Sequence, residues 1–508
     1  MTTRNHDTWD VAIIGYGPTG ATLANLLGQS GLRVLVLERE AAAYHLPRAV
    51  HFDAEVMRVF QTIGLADEVE PTTMYHPGMR FVDAGGNLLL DWPRPLEAGP
   101  QGWKAGYRFH QPDLERILRD GVGRFPNVDV RTRCEVFAIE DQGSHVELRY
   151  ENMARGKVER VQATYVVGCD GARSLVRRYI ETGMEDCGFH ERWLVIDLIL
   201  KQPKPELGDF SIQYCNPARP ATYVPVPGMR RRWEITVLPH EDSISIATPE
   251  RVWELLADWI TPDEAFLERT AVYTFHSLIA DKWRSGRLLL AGDSCHQTPP
   301  FMGQGMCAGI RDAVNLGWKL AFAVKDGDSE ALLESYASER RPNVTEYIRT
   351  AVRLGGLINT CGTQEALATA MRSEAGGPAL MKSLTVGLGE GLGSGPHAGM
   401  LFPQPRLGNG ALMDDVIGYA PVLIIDADQK ATFDAPAGLT VLTTDDLADG
   451  KALLNTYDAV AILVRPDRYI LTTARDAVDL PNIIQAATTL FGPRGLAPTM
   501  PKQEKISA

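Results

Sequence analysis

Near the start of the chain, Gly15-Tyr16-Gly17-Pro18-Thr19-Gly20 has the residue types and spacing needed to hold a diphosphate. The first glycine allows a tight turn, the second lets a pyrophosphate approach the backbone, and the third lets helix and strand pack closely. The helix that opens at this point adds N–H donors and a partial positive charge. An apolar run, VAIIG, precedes the motif, and the small-residue pattern ATLANLLGQSG and a second run, VLVLE, follow it. That second strand ends at Glu38, placed to accept a hydrogen bond from an adenosine ribose, with Arg39 beside it in the expected binding set. An acidic residue here disfavours a 2′-phosphate, so the nucleotide held by this fold is FAD or NAD rather than NADP. A glycine turn alone would have a purely steric explanation. Strand, helix, second strand and terminal glutamate together favour a dinucleotide.

Two later segments carry the same kind of chemistry. Val166-Val167-Gly168-Cys169-Asp170-Gly171-Ala172-Arg173-Ser174 reads by itself as a strand-to-turn junction, with Asp capping and Gly supplying positive φ. Gly292-Asp293 follows the apolar strand Leu288 to Ala291, and Pro299-Pro300 and Gly303-Gln304-Gly305-Met306 lead from it into a helix. Such a loop directs backbone N–H groups and a helix dipole to a place where negative charge can be held.

In these three segments, and in their order, the chain resembles the single-component FAD monooxygenases that hydroxylate aromatic rings, typified by p-hydroxybenzoate hydroxylase and phenol hydroxylase. The resemblance covers roughly residues 8 to 350. It implies that Asp170, Gly171 and Arg173 serve both FAD and NAD(P)H, and that Gly292 and Asp293 bind the flavin ribityl chain. Pro47-Arg48-Ala49 and Gln111-Pro112 match further FAD-contacting positions, and Gly303, Gly305 and Met306 complete the set. Within the family the chain is most similar to 3-(3-hydroxyphenyl)propionate hydroxylases, through PRAVHFDAEVMRVFQTIGL, Cys215-Asn216-Pro217-Ala218-Arg219-Pro220 with Arg231-Arg232-Trp233-Glu234, and LVRPDRYI. The arginine that binds carboxylate in the p-hydroxybenzoate enzyme falls near Cys215 by spacing back from Tyr223. That departure argues against p-hydroxybenzoate as the substrate.

The implied reaction is reduction of tightly but non-covalently bound FAD by NADH or NADPH, followed by reaction with O2 to a flavin hydroperoxide that oxygenates a phenol. The protein must then exclude water from the site. In the family the carbonyl of the first loop proline, here Pro299, takes part in sharing the phenol proton. His296 is a second candidate by its titration range, although a histidine beside a Gly-Asp turn is more often a structural partner. Tyr223 and Cys215 are expected to face the ring, Tyr223 stacking on it or donating its hydroxyl, with core packing as the competing role. Arg230-Arg231-Arg232 has the chemistry to hold a substrate carboxylate or the nicotinamide nucleotide's phosphates, with a solvated hairpin tip as the favoured competing reading; strand alternation lets only part of the trio point inward, and Arg232 is the one assigned to substrate. Cys307 is read as packing against flavin. No metal site is expected.

The elements that must position these residues are legible in outline. The fold class is α/β: a discontinuous Rossmann-like FAD domain (1–78, 93–192 and 275–385), a β-rich substrate domain inserted into it (79–92 and 193–274), and a small α/β unit (400–508) that the resemblance implies is a thioredoxin-like C-terminal domain. The glycine-dense TVGLGEGLGSGPHAGM reads as a linker or mobile loop. The last domain lacks a CxxC pair, so its expected role is structural or dimerising, and a homodimer is one expected assembly.

Composition narrows the function classes. With 508 residues, 44% hydrophobic and 23% charged, the chain is that of an ordinary globular protein. The 51 basic against 64 acidic side chains leave a net charge of −13, unsuited to nucleic acid or acidic lipid surfaces. No apolar run approaches the roughly 18 residues of a membrane span, and the charged start lacks a signal-peptide core, so a cytoplasmic enzyme with a small phenolic substrate is expected. The seven scattered cysteines read as free thiols. Two other readings stay open: an oxygenase of the same fold acting on a larger flavonoid or polyketide phenol, and a non-hydroxylating flavin or NAD oxidoreductase.

Overall fold

In a computed structural model, residues 8–43, 47–326, 330–360, 362–363, 365, 384–430, 436 and 439–495 are described. The expected domains therefore extend at 1–7, 366–383 and 496–508 beyond the described residues.

The strand Thr8–Ile14 lies at the centre of the first sheet and is parallel to both Val34–Leu37 and Lys157–Gly168. Val11, Ala12 and Ile13 are wholly buried, as expected of a parallel strand covered on both faces. The full order runs Arg284–Ser285, Leu288–Leu290, Lys157–Gly168, Thr8–Ile14, Val34–Leu37, Val128–Arg131, and an antiparallel meander of Cys134–Asp141 and Val146–Asn152 leaves it at Lys157–Gly168. All three motif segments thus sit at the carboxyl ends of adjacent parallel strands, where open α/β sheets bind their ligands. The helix Pro18–Gln29 is buried along most of its length, and its small residues permit this. A Cβ added at Gly28 would lie 2.8 Å from the Phe125 ring.

The second sheet has eight strands, antiparallel except where Ser211–Tyr214 runs parallel to Gly78–Val82. Its two longest members, Met184–Leu200 and Ala265–Ala280, run past the expected boundaries at 193 and 275 and tie the sheet to the first one. One face packs on the helix Pro249–Leu256 through Tyr223, Trp233, Ile235 and Val252. The other face looks toward the first sheet.

A third sheet of four strands, Thr440–Thr443, Val422–Ile425, Ala461–Val464 and Ile470–Ala474, has its first pair parallel and the rest antiparallel. It docks on the long helices Gly305–Asp326 and Glu330–Thr360 through Trp318, Phe322 and Phe491, and two buried charge clusters tie its domain to these helices and to the helix Ala54–Thr62. In one, Arg465 is bidentate to Glu339 at 2.8 Å and also pairs with Asp467, while Lys319 reaches Glu339 at 2.6 Å. In the other, Asp414 receives Arg58 at 2.7 Å and Arg468 at 3.0 Å. The glycine-dense segment forms no regular element but is not free. Leu388 N–H donates to Gly399, Gly389 N–H to Glu339, and a Cβ at Gly391 would strike the Glu339 side chain at 2.3 Å.

Burial works to raise the Asp414 carboxyl, and Arg468 and Arg58 outweigh it, holding it below the ordinary carboxylate value. Its contribution to stability is present at neutral pH and is lost as pH falls from about 4 through the folded value. We expect Asp414→Ala to lower unfolding free energy by about 3–5 kcal/mol, because it strands two buried guanidinium groups. Chemical denaturation at pH 7 reads this loss, and the difference from wild type should shrink in acid.

Candidate active site

The first turn closes as the motif requires. Gly15 has φ +99°, and a Cβ there would lie 2.4 Å from the Cys169 carbonyl. A Cβ on Gly20 would lie 2.2 Å from the Gly15 carbonyl oxygen. Gly17 differs, since a Cβ there meets nothing within 4 Å. No side chain caps the helix at Gly17, so the N–H groups of its first turn are left for an anion. This uncapped helix end over open space is what a pyrophosphate needs, and the residues present fit FAD. Pro18 starts the helix, and Thr19 fills the gap to the third segment, where a Cβ on Gly292 would lie 2.7 Å from its hydroxyl. Glu38 accepts Tyr16 N–H at 2.7 Å and Glu40 N–H at 2.8 Å, leaving lone pairs for a ribose. Arg39 is exposed and paired with Glu40 at 3.2 Å.

The loop at 47–49 is clamped from two sides. Gln111 accepts the N–H groups of Arg48 and Ala49 at 2.8 and 2.7 Å. Arg232 donates to the carbonyls of Arg48 and Pro47, both at 2.7 Å, and Arg269 donates to Pro47 at 2.5 Å. Asp293 is exposed beside this loop region and makes no hydrogen bond among the described residues, leaving its carboxylate available to a ribityl hydroxyl. Gly292 takes φ +69° and donates its N–H to Asp312 at 3.0 Å. Gly303 (φ +63°), half-buried Gly305 and half-buried Met306 form the approach to the helix Gly305–Asp326.

Several expected site residues lie elsewhere. Asp170 supports the start of the helix Leu175–Ile180, accepting Ser174 Oγ and Leu175 N–H at 2.6 Å each, while half-buried Gly171 (φ +74°) and exposed Ala172 and Arg173 of that segment face outward. His296 is fully buried with Nε2 2.6 Å from Asp312, and its ring packs on Trp283. It cannot reach a phenol, and its companions Cys295 and Asp312 are equally buried. Burial acts to raise Asp312, but His296 and Arg340 together bring it down to about 2. Tyr223 is turned away by strand alternation: its neighbours Thr222 and Val224 line the cavity while its own ring stacks with Trp233 on the opposite face. Cys215 is buried with Phe81, Trp193 and Phe301, behind the cavity wall. Arg232 is buried, holds Asp197 at 2.7 Å and the 47–48 carbonyls, and does not line the cavity. Pro299 is buried, and the next residue, Pro300, lines the cavity instead. Cys307 points to the His51 and Gly303 carbonyls.

The cavity itself encloses about 120 Å³ between the second sheet and the Pro300–Gln304 loop. Its apolar walls include Met79, Trp92, Phe301 and Met302. Its polar groups were not singled out from the sequence. His51 and His76 meet edge to face at 5.1 Å, Arg94 reaches His51 Nε2 at 3.0 Å, and Arg108 reaches His76 Nδ1 at 3.2 Å and Ser211 Oγ at 2.9 Å. Burial first, then Arg94, lowers His51 to about 3, and the same causes take His76 well below its usual value, so both imidazoles are neutral at pH 7. Asp53 is committed to Arg311 at 2.6 Å and to Gln304 at 3.1 Å. These residues are scattered over short strands and loops without a periodic signal. The only hint was that His51 and Asp53 fall within the segment PRAVHFDAE.

A family model described as an FAD binding domain matches residues 8–351. The chain belongs to the FAD-dependent aromatic hydroxylases. It is 35% identical to a probable NADH-specific resorcinol 4-hydroxylase of Rhodococcus jostii (strain RHA1), over 97% of each chain. It is 38% identical to a 3-(3-hydroxy-phenyl)propionate/3-hydroxycinnamic acid hydroxylase of Burkholderia vietnamiensis (strain G4 / LMG 22486), over 70% of this chain and 65% of that one. Its fold matches the crystal structure of the flavin-dependent monooxygenase PieE in complex with FAD and substrate, with TM-score 0.82 and 21% identity over 96% of this chain and 99% of the other. This hydroxylase is an FAD monooxygenase. No described helix is long and apolar enough to cross a membrane.

Two variants test the cofactor cradle. Gly17→Val should keep the fold, since its side chain enters open space, yet lose most bound FAD, as read by visible absorbance after gel filtration. Asp293→Ala should weaken FAD retention by about 1.5–3 kcal/mol, one charge-assisted hydrogen bond. Flavin release on dilution measures it, and retention equal to wild type would remove Asp293 from the cradle.

Proposed function

We propose that this hydroxylase adds one oxygen atom to a single-ring phenol of the resorcinol type, using NADH and O2. The observation that carries the reading is the size of the cavity. An apolar cavity of about 150 Å³ holds benzene, so a space of about 120 Å³ is on the scale of a single ring and favours a one-ring substrate over a fused one. Similarity to the resorcinol hydroxylase over nearly the whole of both chains supports the ring class and the choice of NADH.

The chemistry that FAD would supply when bound is the NADH-driven two-electron activation of O2, with one oxygen atom going to the ring and the other leaving as water. The protein's own residues do the rest. Met79, Trp92, Phe301 and Met302 exclude water from the ring's surroundings, and the loop Pro300–Gln304 stands between the cavity and the helix whose N-terminus would face the flavin. Pro299 is proposed to share the phenol proton through its backbone carbonyl, the part of the earlier expectation that its buried ring does not exclude.

The organisation proposed for the chain keeps the discontinuous FAD domain with its inserted substrate domain and a thioredoxin-like tail. The mixed order of the third sheet supports the last assignment. The tail's packing on the FAD domain supports a structural role.

The test follows NADH consumption by the FAD-loaded protein with resorcinol, 3-(3-hydroxyphenyl)propionate and a flavonoid. Resorcinol should accelerate oxidation and yield a hydroxylated ring by mass spectrometry, and the flavonoid should do neither. Acceleration by the flavonoid alone would replace the single-ring reading by the larger-substrate one.

A further inference from the structure

The C-terminal domain reaches the wall of the cavity through one side chain. Tyr469 closes the turn of LVRPDRYI, and its neighbours fix it on two helices. Arg465 is bidentate to Glu339 of the helix Glu330–Thr360, and Arg468 shares Asp414 with Arg58 of the helix Ala54–Thr62. Within the turn, Arg465 N–H donates to the Tyr469 carbonyl at 2.9 Å. The Tyr469 ring is buried, and its hydroxyl donates to Glu55 Oε1 at 2.7 Å. The other Glu55 oxygen accepts Arg311 Nε at 2.5 Å. Arg311 carries the contact onward, with Nη2 on Asp53 at 2.6 Å and Nη1 on Gln304 Oε1 at 3.0 Å, and Gln304 Nε2 donates to the same Asp53 oxygen at 3.1 Å. The guanidinium also lies 5.0 Å from the centre of the Tyr347 ring. Asp53, Gln304 and Tyr347 all line the cavity.

Two carboxylates share one guanidinium here, so neutral donors must satisfy the remaining oxygens. Val56 N–H and Gln304 serve Asp53, and the Tyr469 hydroxyl serves Glu55. Burial acts to raise Asp53, but Arg311 outweighs it and brings it to about 2, so this end of the chain is ionised at neutral pH. The hydroxyl fixes which Glu55 oxygen meets Arg311, and thereby the direction of the fork that holds Gln304, the last residue of the Pro300–Gln304 loop. We infer that Tyr469 is a positioning residue for hydroxylation: through Glu55 and Arg311, the C-terminal domain sets the place of the Pro300–Gln304 wall of the substrate cavity. This rests on the hydroxylase reading for the cavity's occupant, and it gives a working part to a domain that carries no CxxC pair. A wall held in place keeps water from the reacting ring, so that NADH and O2 yield hydroxylated product instead of hydrogen peroxide.

The experiment follows hydrogen exchange by mass spectrometry on the FAD-loaded full chain, in wild type, in Tyr469→Phe and in a matched control, Tyr419→Phe. Tyr419 also joins this domain to the helix Gly305–Asp326, its hydroxyl accepting Trp318 N–H at 2.8 Å and donating to the Val314 carbonyl at 2.5 Å, but it stands outside the chain from Glu55 to Gln304. Tyr469→Phe keeps the buried ring. It should speed exchange about tenfold in the peptide containing Gly303, whose N–H is held by the Pro300 carbonyl at 2.8 Å, and leave the third sheet as protected as in wild type. Tyr419→Phe should leave that peptide unchanged. Glu55→Gln keeps the shape but loses the charge facing Arg311, so it should loosen the same peptide and carries the comparison if Tyr469→Phe does not fold. With resorcinol, Tyr469→Phe should raise the share of NADH oxidised to hydrogen peroxide about three- to tenfold, and Tyr419→Phe should not. Exchange at the loop equal to wild type in both Tyr469→Phe and Glu55→Gln overturns the inference. So does loosening that spreads through the third sheet and appears equally in Tyr419→Phe, which would make Tyr469 a fastening residue only. If no phenol accelerates NADH oxidation in wild type, the hydroxylase reading fails on its own, while the exchange pattern still decides whether Tyr469 sets the loop.

Discussion

The position of one loop governs the site. Residues 47–49 connect the dinucleotide-binding part to the rest, and their backbone is held by Gln111 from one side and by Arg232 and Arg269 from the other. Asp197 holds Arg232 bidentately and lies 3.7 Å from Arg269, which makes the buried guanidinium groups rigid donors instead of mobile charges. Through this clamp the second sheet is fixed against the first. The cavity is the space that remains between them, bounded by the Pro300–Gln304 loop.

Buried arginines recur through the molecule in three different roles. Arg465, Arg58 and Arg468 fasten the third sheet to the long helices and to the helix Ala54–Thr62, each with carboxylates in direct contact. Arg232 and Arg311 hold the walls of the site, again with acidic partners. Arg94 and Arg108 break this rule. Buried Arg108 and half-buried Arg94 are held by neutral acceptors, here two imidazoles, a hydroxyl and backbone carbonyls.

The similarity to relatives and the geometry bear on different questions. Family membership fixes the cofactor and the class of reaction. The size and lining of the cavity concern which ring it accepts, and both are properties of side chains contributed by distant segments. A fold shared with enzymes of larger substrates does not decide the matter, because the walls of the cavity are set by Trp92, Phe301 and Leu354 and not by the backbone topology.

The cofactor cradle was legible in the sequence because its requirements are local. Gly15, Gly17 and Gly20 act through backbone conformation and close approach within a single strand-turn-helix, and Glu38 lies at the end of the very next strand. The order of strands and helices around them followed from apolar patterning in the same way. The substrate side was not legible, for two physical reasons. Strand alternation makes a one-residue difference decisive, so Tyr223 faces the helix Pro249–Leu256 while Thr222 and Val224 face the cavity, and no pattern in that short run tells the two faces apart. His296, chosen for its titration range, is consumed by Asp312, and Arg232 by Asp197 and a loop 184 residues away. Pairings of that kind exist only after the sheets pack. The residues that tertiary structure brought to the cavity, His51, His76, Arg94 and Arg108, come from short strands and loops whose separate sequences carry no sign of a common site, because what unites them is a shared volume and not a shared period.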